Sequence, residues 1–258
     1  MEVCVLASGS KGNCIYVSGG GTSVLVDAGL SARELVARMR AAGIDPVCIQ
    51  AVLFTHDHSD HFKGIEVFCK KYPVRLFANE GTACGIEHEC PKLSPAWEIF
   101  ETASAFEVGG LRVEAFSVPH DASDPVGFLF DDGASRLCVA TDIGQATPLI
   151  RNKLAQCHAA VLESNHDYDM LMGSDRPWTL KTRIAGRSGH LSNSDAAELM
   201  RSALTERLHT LLLAHLSEEC NTPALALNTM RLALRAAGRE DVRVEVLSQA
   251  QASARLVF

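Results

Sequence analysis

An apolar run, Ala51-Val52-Leu53-Phe54, opens directly into Thr55-His56-Asp57-His58-Ser59-Asp60-His61. Four metal-competent side chains, His56, His58, Asp60 and His61, fall within six positions, and imidazole and carboxylate are ligands that zinc, manganese and iron all accept. Alternate residues leaving a buried strand can converge on a common pocket. Three more potential ligands follow apolar runs in the same manner: His120 after 113–119, Asp142 after 137–141 and His215 after 211–214. Functional groups concentrate where strands open into loops, and repeated placement at strand ends brings distant residues to one rim. A lone histidine is more often a packed or capping residue; it is the set of seven that points to a metal site.

The rest of the chain is organised around such strands. Short β-branched runs at 3–6, 14–17 and 23–26, the last two separated by Gly19-Gly20-Gly21, predict a strand and a hairpin. Ser31 caps a helical pattern through Ala42 with Leu35, Val36 and Met39 on one face, and Gly43 ends it before Pro46. A helix is expected after the histidine cluster, ending near Tyr72, and others at 147–154, 193–205 and 222–237. Further strands are expected at 75–78, 111–118, 126–130, 136–140, 159–162, 210–213, 243–247 and 254–257. At 258 residues and 47% hydrophobic content, one domain spanning 1–258 is expected, with two sheets packed together and helices outside.

Lys and Arg number 24 against 31 Asp and Glu, a formal charge of −7. Wholesale basicity therefore gives no argument for nucleic-acid binding, and any anionic partner must be held locally. No apolar run approaches the roughly 18–20 residues of a membrane span, and the first residues lack the basic-then-apolar order of a signal peptide, so a cytoplasmic protein without membrane association is expected. Nine cysteines without a C-x-x-C pair read as reduced thiols, mostly in the core.

The His-x-His-x-Asp-His loop followed by a lone His, an Asp and a final His resembles the metallo-β-lactamase superfamily across essentially the whole chain. The segments 8–13 (SGSKGN), 119–122 (PHDA), 163–167 (ESNHD), 189–193 (GHLSN) and 214–217 (AHLS) are similar to the YycJ (WalJ) group within it. The resemblance implies an α/β fold, the four-layer αββα sandwich, and a metal-dependent 5′-to-3′ exonuclease on double-stranded DNA with a link to mismatch repair. It implies two divalent ions, zinc or manganese foremost and iron also compatible. His56, His58 and His120 would hold one, Asp60, His61 and His215 the second, and Asp142 would bridge them. Two cations about 3.5–4 Å apart can polarise a phosphoryl oxygen and acidify a shared water, which Asp60 can orient or deprotonate.

The same superfamily implies hydrolases of small esters, thioesters and lactones, so the metal loop alone does not name a substrate. A redox di-iron site would carry a Glu where His58 stands. A phosphodiester's alkoxide leaving group gains from a proton donor. Glu163 and His190 resemble in setting the Glu and His with which ribonuclease Z protonates its leaving oxygen, Glu163 orienting His190 and keeping it cationic; the plainer alternative is a helix cap and an unrelated ion pair. Between 176 and 190 stand Arg176, Lys181, Arg183 and Arg187 with no acid, a local patch suited to phosphates, and Trp178 can stack on a base or plug the core. Ser8, Ser10, Lys11 and Asn13 suit a small anion pocket or support for the metal loop; a tight turn is the alternative. Asn165, His166 and Asp167 are candidates to orient metal-bound imidazoles. A small-ester hydrolase would not need Glu163 or the arginines, and a non-catalytic metal-binding module would show no hydrolysis at all.

Overall fold

The computed structural model describes residues 1–93 and 95–258. The chain divides into two compact units: residues 1–117, 122–134 and 248–258 form the first, and 118–121 with 135–247 the second.

The first unit begins with β1 (Glu2–Ala7), β2 (Cys14–Gly19) and β3 (Thr22–Val26). β2 and β3 pair antiparallel around a two-residue loop, Gly20-Gly21, with φ of +55° and +75°; a hairpin this tight needs left-handed backbone at both positions, which glycine adopts without a Cβ penalty. α1 (Ala32–Ala41) starts where Ser31 accepts a hydrogen bond from the Glu34 amide, and it buries Leu35 and Met39, one turn apart. β4 (Ala51–Leu53) then runs parallel to β3, Val26 level with Leu53. The helix expected beyond it is split at Lys63-Gly64 into α2 (Ser59–Phe62) and α3 (Ile65–Lys71). β5 (Arg75–Ala78), α4 (Glu80–Glu89) and β6 (Trp97–Ile99) follow, and β7 (Ala105–Val108), β8 (Leu111–Ser117) and β9 (Val126–Asp131) form an antiparallel meander. Leu6, Leu25, Leu35, Met39, Phe54 and Phe68 anchor its core, each contributing about 1.5–3 kcal/mol on burial.

The second unit is built on β10 (Arg136–Ala140), β11 (Ala159–Glu163), β12 (Thr210–Ala214) and β13 (Arg243–Val246), all parallel. Every residue of β11 is buried, as expected of a parallel strand covered on both faces. α5 (Pro148–Leu154), α6 (Tyr168–Gly173), α7 (Trp178–Ile184), α8 (Asn193–Ala203) and α9 (Pro223–Ala236) connect and cover these strands. α8 buries Ala196, Leu199 and Met200 and is capped by Ser192, whose hydroxyl accepts from the Asp195 amide. The register sets Ala140 beside Leu162 and Glu163 beside Ala214, so the carboxyl ends of three strands share one edge, where open α/β sheets bind ligands. The chain closes with β14 (Leu256–Val257), which pairs with β1 in the first unit and is shorter than the expected 254–257.

β6, β7, α4, α6 and α7 were not legible as periodic runs. Of the basic segment 176–190, read as a local patch for phosphates with a flexible loop as the alternative, α7 carries Lys181 and Arg183, while Arg176 and Arg187 lie outside it. Among the described residues no disulfide is formed; five cysteines are buried, and Cys48 and Cys84 are exposed.

Candidate active site

In the first unit, the parallel pairing of β3 with β4 brings two strand ends side by side. The Asp27 amide donates to the Leu53 carbonyl at 2.9 Å, and the Thr55 amide donates to Asp27 Oδ1 at 2.9 Å. Asp27 has a φ of +61°, a left-handed conformation that an L-residue holds only when its surroundings compensate. That twist turns its carboxylate to His61, whose Nδ1 lies 2.8 Å from Oδ2. Burial pushes the Asp27 carboxyl up, while His61 and Thr55 pull it down. With Nδ1 donating to Asp27, His61 Nε2 carries the lone pair, and the Asn13 amide nitrogen stands 3.0 Å from it as donor. This is the tautomer a divalent cation requires, fixed by an acceptor on the far nitrogen.

Asn13 also reaches Asp60 Oδ2 at 3.2 Å, and its Oδ1 accepts from the Gly9 amide. The 8–13 loop thus braces the histidine cluster from below. Gly29 makes this possible: a Cβ there would lie 1.5 Å from the Asp60 carbonyl oxygen. His56 is buried, its Nδ1 3.0 Å from the Thr55 hydroxyl, and its ring centroid is 4.6 Å from that of half-buried His58. Ser8 is buried, whereas Ser10 and Lys11 are exposed, the Lys11 amide donating to Gln249 Oε1.

The second unit holds its own constellation. Ligand atoms of Asp142, Glu163, His190 and His215 lie within 4.8 Å of one another. Asp142 and His215 follow β10 and β12 with φ of +55° and +56°, so both strand ends break into left-handed backbone at a cost of about 1–2 kcal/mol each. Glu163 is fully buried and accepts four hydrogen bonds. Oε2 takes the amides of Ile143 at 2.6 Å and Leu191 at 3.2 Å; Oε1 takes His190 Nδ1 at 2.7 Å and His215 Nδ1 at 3.0 Å. Burial disfavours its charge, yet His190 and His215 outweigh that and hold the carboxyl below its usual range. For His190 burial acts downward, and Glu163, Asp142 and Asp121 overcome it to raise the imidazole to about 9.

His120 donates from Nδ1 to the Gly189 carbonyl at 3.0 Å. That carbonyl is within reach because residue 189 has no Cβ; one would sit 2.1 Å from the Ile184 carbonyl oxygen. His61, His120 and His215 therefore each present the Nε2 form. Within the second unit, Asp142, Glu163, His190 and His215 make a nitrogen and oxygen donor set that fits a divalent cation. Asn165 donates to the His215 carbonyl at 2.7 Å, Asn221 donates to the carbonyls of Ser164 and Asn165, and Asp167 caps α6. His166 is buried, and among the described residues its Nδ1 has no hydrogen-bond partner.

The cations gathered in the sequence separate in space. Lys181 is buried, its Nζ donating to the Met172 carbonyl at 2.6 Å. Arg183 binds Asp121 at 2.6 Å, Arg176 binds Glu219 at 2.9 Å, and Arg187, among the described residues, meets only the neutral Gln145 at 2.9 Å. Trp178 is exposed. Asp27 is the residue that sequence reasoning passed over. It stands after the apolar run 24–26 as His120, Asp142 and His215 stand after theirs, so the same signal marks it.

A beta-lactamase superfamily domain matches residues 22–215. The chain belongs to the metallo-β-lactamase superfamily. Among superfamily members it is 37% identical to the exodeoxyribonuclease YycJ of Bacillus anthracis over 227 residues, 88% of this chain and 86% of the relative. It is 35% identical to the exodeoxyribonuclease WalJ of Streptococcus pneumoniae over 229 residues, 88% and 85% of the two chains. The crystal structure of zinc-bound PqqB from Methylobacterium extorquens superposes with a TM-score of 0.73 at 18% identity, covering 100% of both chains. The metallo-β-lactamase fold expected from the sequence is thus the fold of this chain, two mixed β-sheets flanked by helices. Among the described residues no helix is long and apolar enough to cross a membrane.

Proposed function

We propose that this superfamily member is a metal-dependent exodeoxyribonuclease that digests double-stranded DNA from a 5′ end, acting in the cytoplasm in DNA repair, including mismatch repair. In this reading residues 1–258 act as one domain; His56, His58 and His120 would hold one divalent ion and Asp60, His61 and His215 a second, with Asp142 a ligand available to both. Bound there, zinc or manganese, or iron, supplies Lewis acidity to the phosphoryl oxygens and to the attacking water. The relatives named exodeoxyribonucleases support the substrate class. The observation that carries the chemistry is the Glu163–His190 pair: Nδ1 is held at 2.7 Å by a buried carboxylate while the side chain keeps 21% exposure.

His190 is the general acid. As the water oxygen bonds to phosphorus and the bond to the 3′-oxygen breaks, His190 gives a proton to that oxygen, leaving a 5′-phosphate on the shortened strand and a free 3′-hydroxyl on the released nucleotide. Glu163 holds the ring in place and stabilises its cation. Asp60 orients the attacking water. Arg187, whose side chain meets the neutral Gln145, binds one flanking phosphate and Lys11 another, while Asn13 braces Asp60 and His61.

The test supplies metal-stripped protein with each cation and an end-labelled duplex, a single strand, RNA and a thioester. A 5′-labelled mononucleotide as first product, lost in His190→Ala with metal content unchanged, supports the reading. Release from the 3′ end, or thioester turnover exceeding cleavage of every nucleic acid, contradicts it.

A further inference from the structure

The outer faces of α1 and α3, both in the first unit, enclose an open groove of about 630 Å³. Its floor is apolar: Val36, Ala37, Phe68 and Tyr72, with Val67 59% exposed at its edge. Around this floor stand Arg33, Arg40, Lys70 and Lys71, and among the described residues no carboxylate lines it. Arg33, Val36, Ala37 and Arg40 are spaced i, i+3, i+4, i+7, so α1 presents them on one face. The acids nearby are already paired: Glu34 binds Arg38 at 2.7 Å, and Glu66 binds Lys70 of the rim itself at 2.6 Å, leaving Arg33, Arg40 and Lys71 as the rim's open cations. Among the described residues Arg33, Arg40 and Lys71 form no ion pair, and Lys71 lies 5.5 Å over the Tyr72 ring. In a chain with a formal charge of −7, Arg33, Arg40 and Lys71 stand as a local group of three cations around an apolar trough.

We propose that this groove docks a short acidic segment of another protein, which lays one or two large apolar side chains on Val36, Val67 and Tyr72 and sets its carboxylates against Arg33, Arg40 and Lys71. Helix-bounded grooves take amphipathic peptides in this way: the floor supplies affinity and the charged rim supplies orientation and rate. A nucleic acid would engage the rim, but the polar edges of its bases would meet a floor of alanine, valine and aromatic carbon. A lipid surface needs apolar groups that protrude, whereas most of these are recessed. None of these residues belongs to the ligand sets, so the groove stands or falls independently of the proposed activity.

The test uses the full chain and a fluorescein-labelled peptide of about a dozen residues, with Asp at most positions and Leu at i, i+3 and i+4. Its affinity is micromolar and weakens severalfold between about 50 and about 300 mM salt. It falls about tenfold in R33E/R40E and in Val67→Asp, each with an unchanged melting temperature and unchanged nuclease turnover. Peptides with Asn for Asp, or Ser for Leu, bind about tenfold more weakly than the parent. The proposal is overturned if the Asn peptide binds as well as the Asp peptide, if the variants bind like the parent protein, or if the Asp peptide does not bind. Tighter occupancy of the groove by a single-stranded oligonucleotide or a phosphatidylglycerol vesicle overturns it equally.

Discussion

Replacing Glu163 with glutamine tests whether one buried carboxylate organises the strand-end cluster of the second unit and, with it, the proposed acid catalyst. Four N–H donors converge on its two oxygens: the Ile143 and Leu191 amides on Oε2, and the Nδ1 atoms of His190 and His215 on Oε1. An amide of the same shape offers one acceptor oxygen and two donors. If its oxygen stays with the backbone amides, its NH₂ faces both imidazoles, whose Nδ1 atoms must give up their protons. His190 then loses its cation, and His215 moves its proton to Nε2, the atom proposed to bind metal. Two hydrogen bonds to a charged acceptor are lost at about 1.5–3 kcal/mol each, or roughly 3–6 kcal/mol together. For a chain of this size that lowers the melting temperature by roughly 6–24 °C. The assay is thermal denaturation of metal-stripped protein beside nuclease turnover of the reloaded enzyme. Turnover falls about 10²- to 10⁴-fold, the range of a lost acid catalyst. The double variant Glu163→Gln/His190→Ala is hardly slower than either single one, because residues acting as a unit are not additive. A Glu163→Gln protein with turnover within twofold of the parent and an unshifted melting curve would refute this reasoning.

Asp27→Ala removes the acceptor on His61 Nδ1 and weakens metal binding about 10- to 100-fold; chelator competition reads this directly, and an unchanged affinity would show that Thr55 suffices. Gly29→Ala forces a Cβ to within 1.5 Å of the Asp60 carbonyl oxygen, so the metal loop must shift, at a cost of about 1–3 kcal/mol or more; full metal occupancy and parental stability would contradict the contact. Arg187→Ala raises KM for DNA and flattens its salt dependence with little effect on melting, whereas Lys181→Ala lowers the melting temperature through the lost bond to the Met172 carbonyl; the reverse pattern would exchange their roles. Alkylation at pH 8 modifies exposed Cys48 and Cys84 first. Burial raises Cys69 to about 11 and Cys157 to about 12, so both stay protonated and slow, which peptide mass spectrometry checks.

The parts of this molecule legible in its sequence are those whose cause is local. An apolar β-branched run predicts a strand whatever lies beside it, and β5 and β10 stand where their runs place them. Ser31 and Ser192 cap helices because a hydroxyl accepts from an amide three residues on. The His56–His61 cluster and the lone His120, Asp142 and His215 after apolar runs are equally local, and they sufficed to mark the family.

Only tertiary structure decided what each of those side chains does, because their partners are distant in the chain. Asp27 reaches His61 across 34 positions and Glu163 reaches His215 across 52, separations at which no spacing rule operates. The basic stretch is the clearest case. Counted along the chain it is a single patch, yet Asp121 stands 62 positions from Arg183, Glu219 43 from Arg176, and Lys181 turns inward to Met172. Charge is a property of residues, but a field depends on where the opposite charges and the solvent lie, and folding sets both.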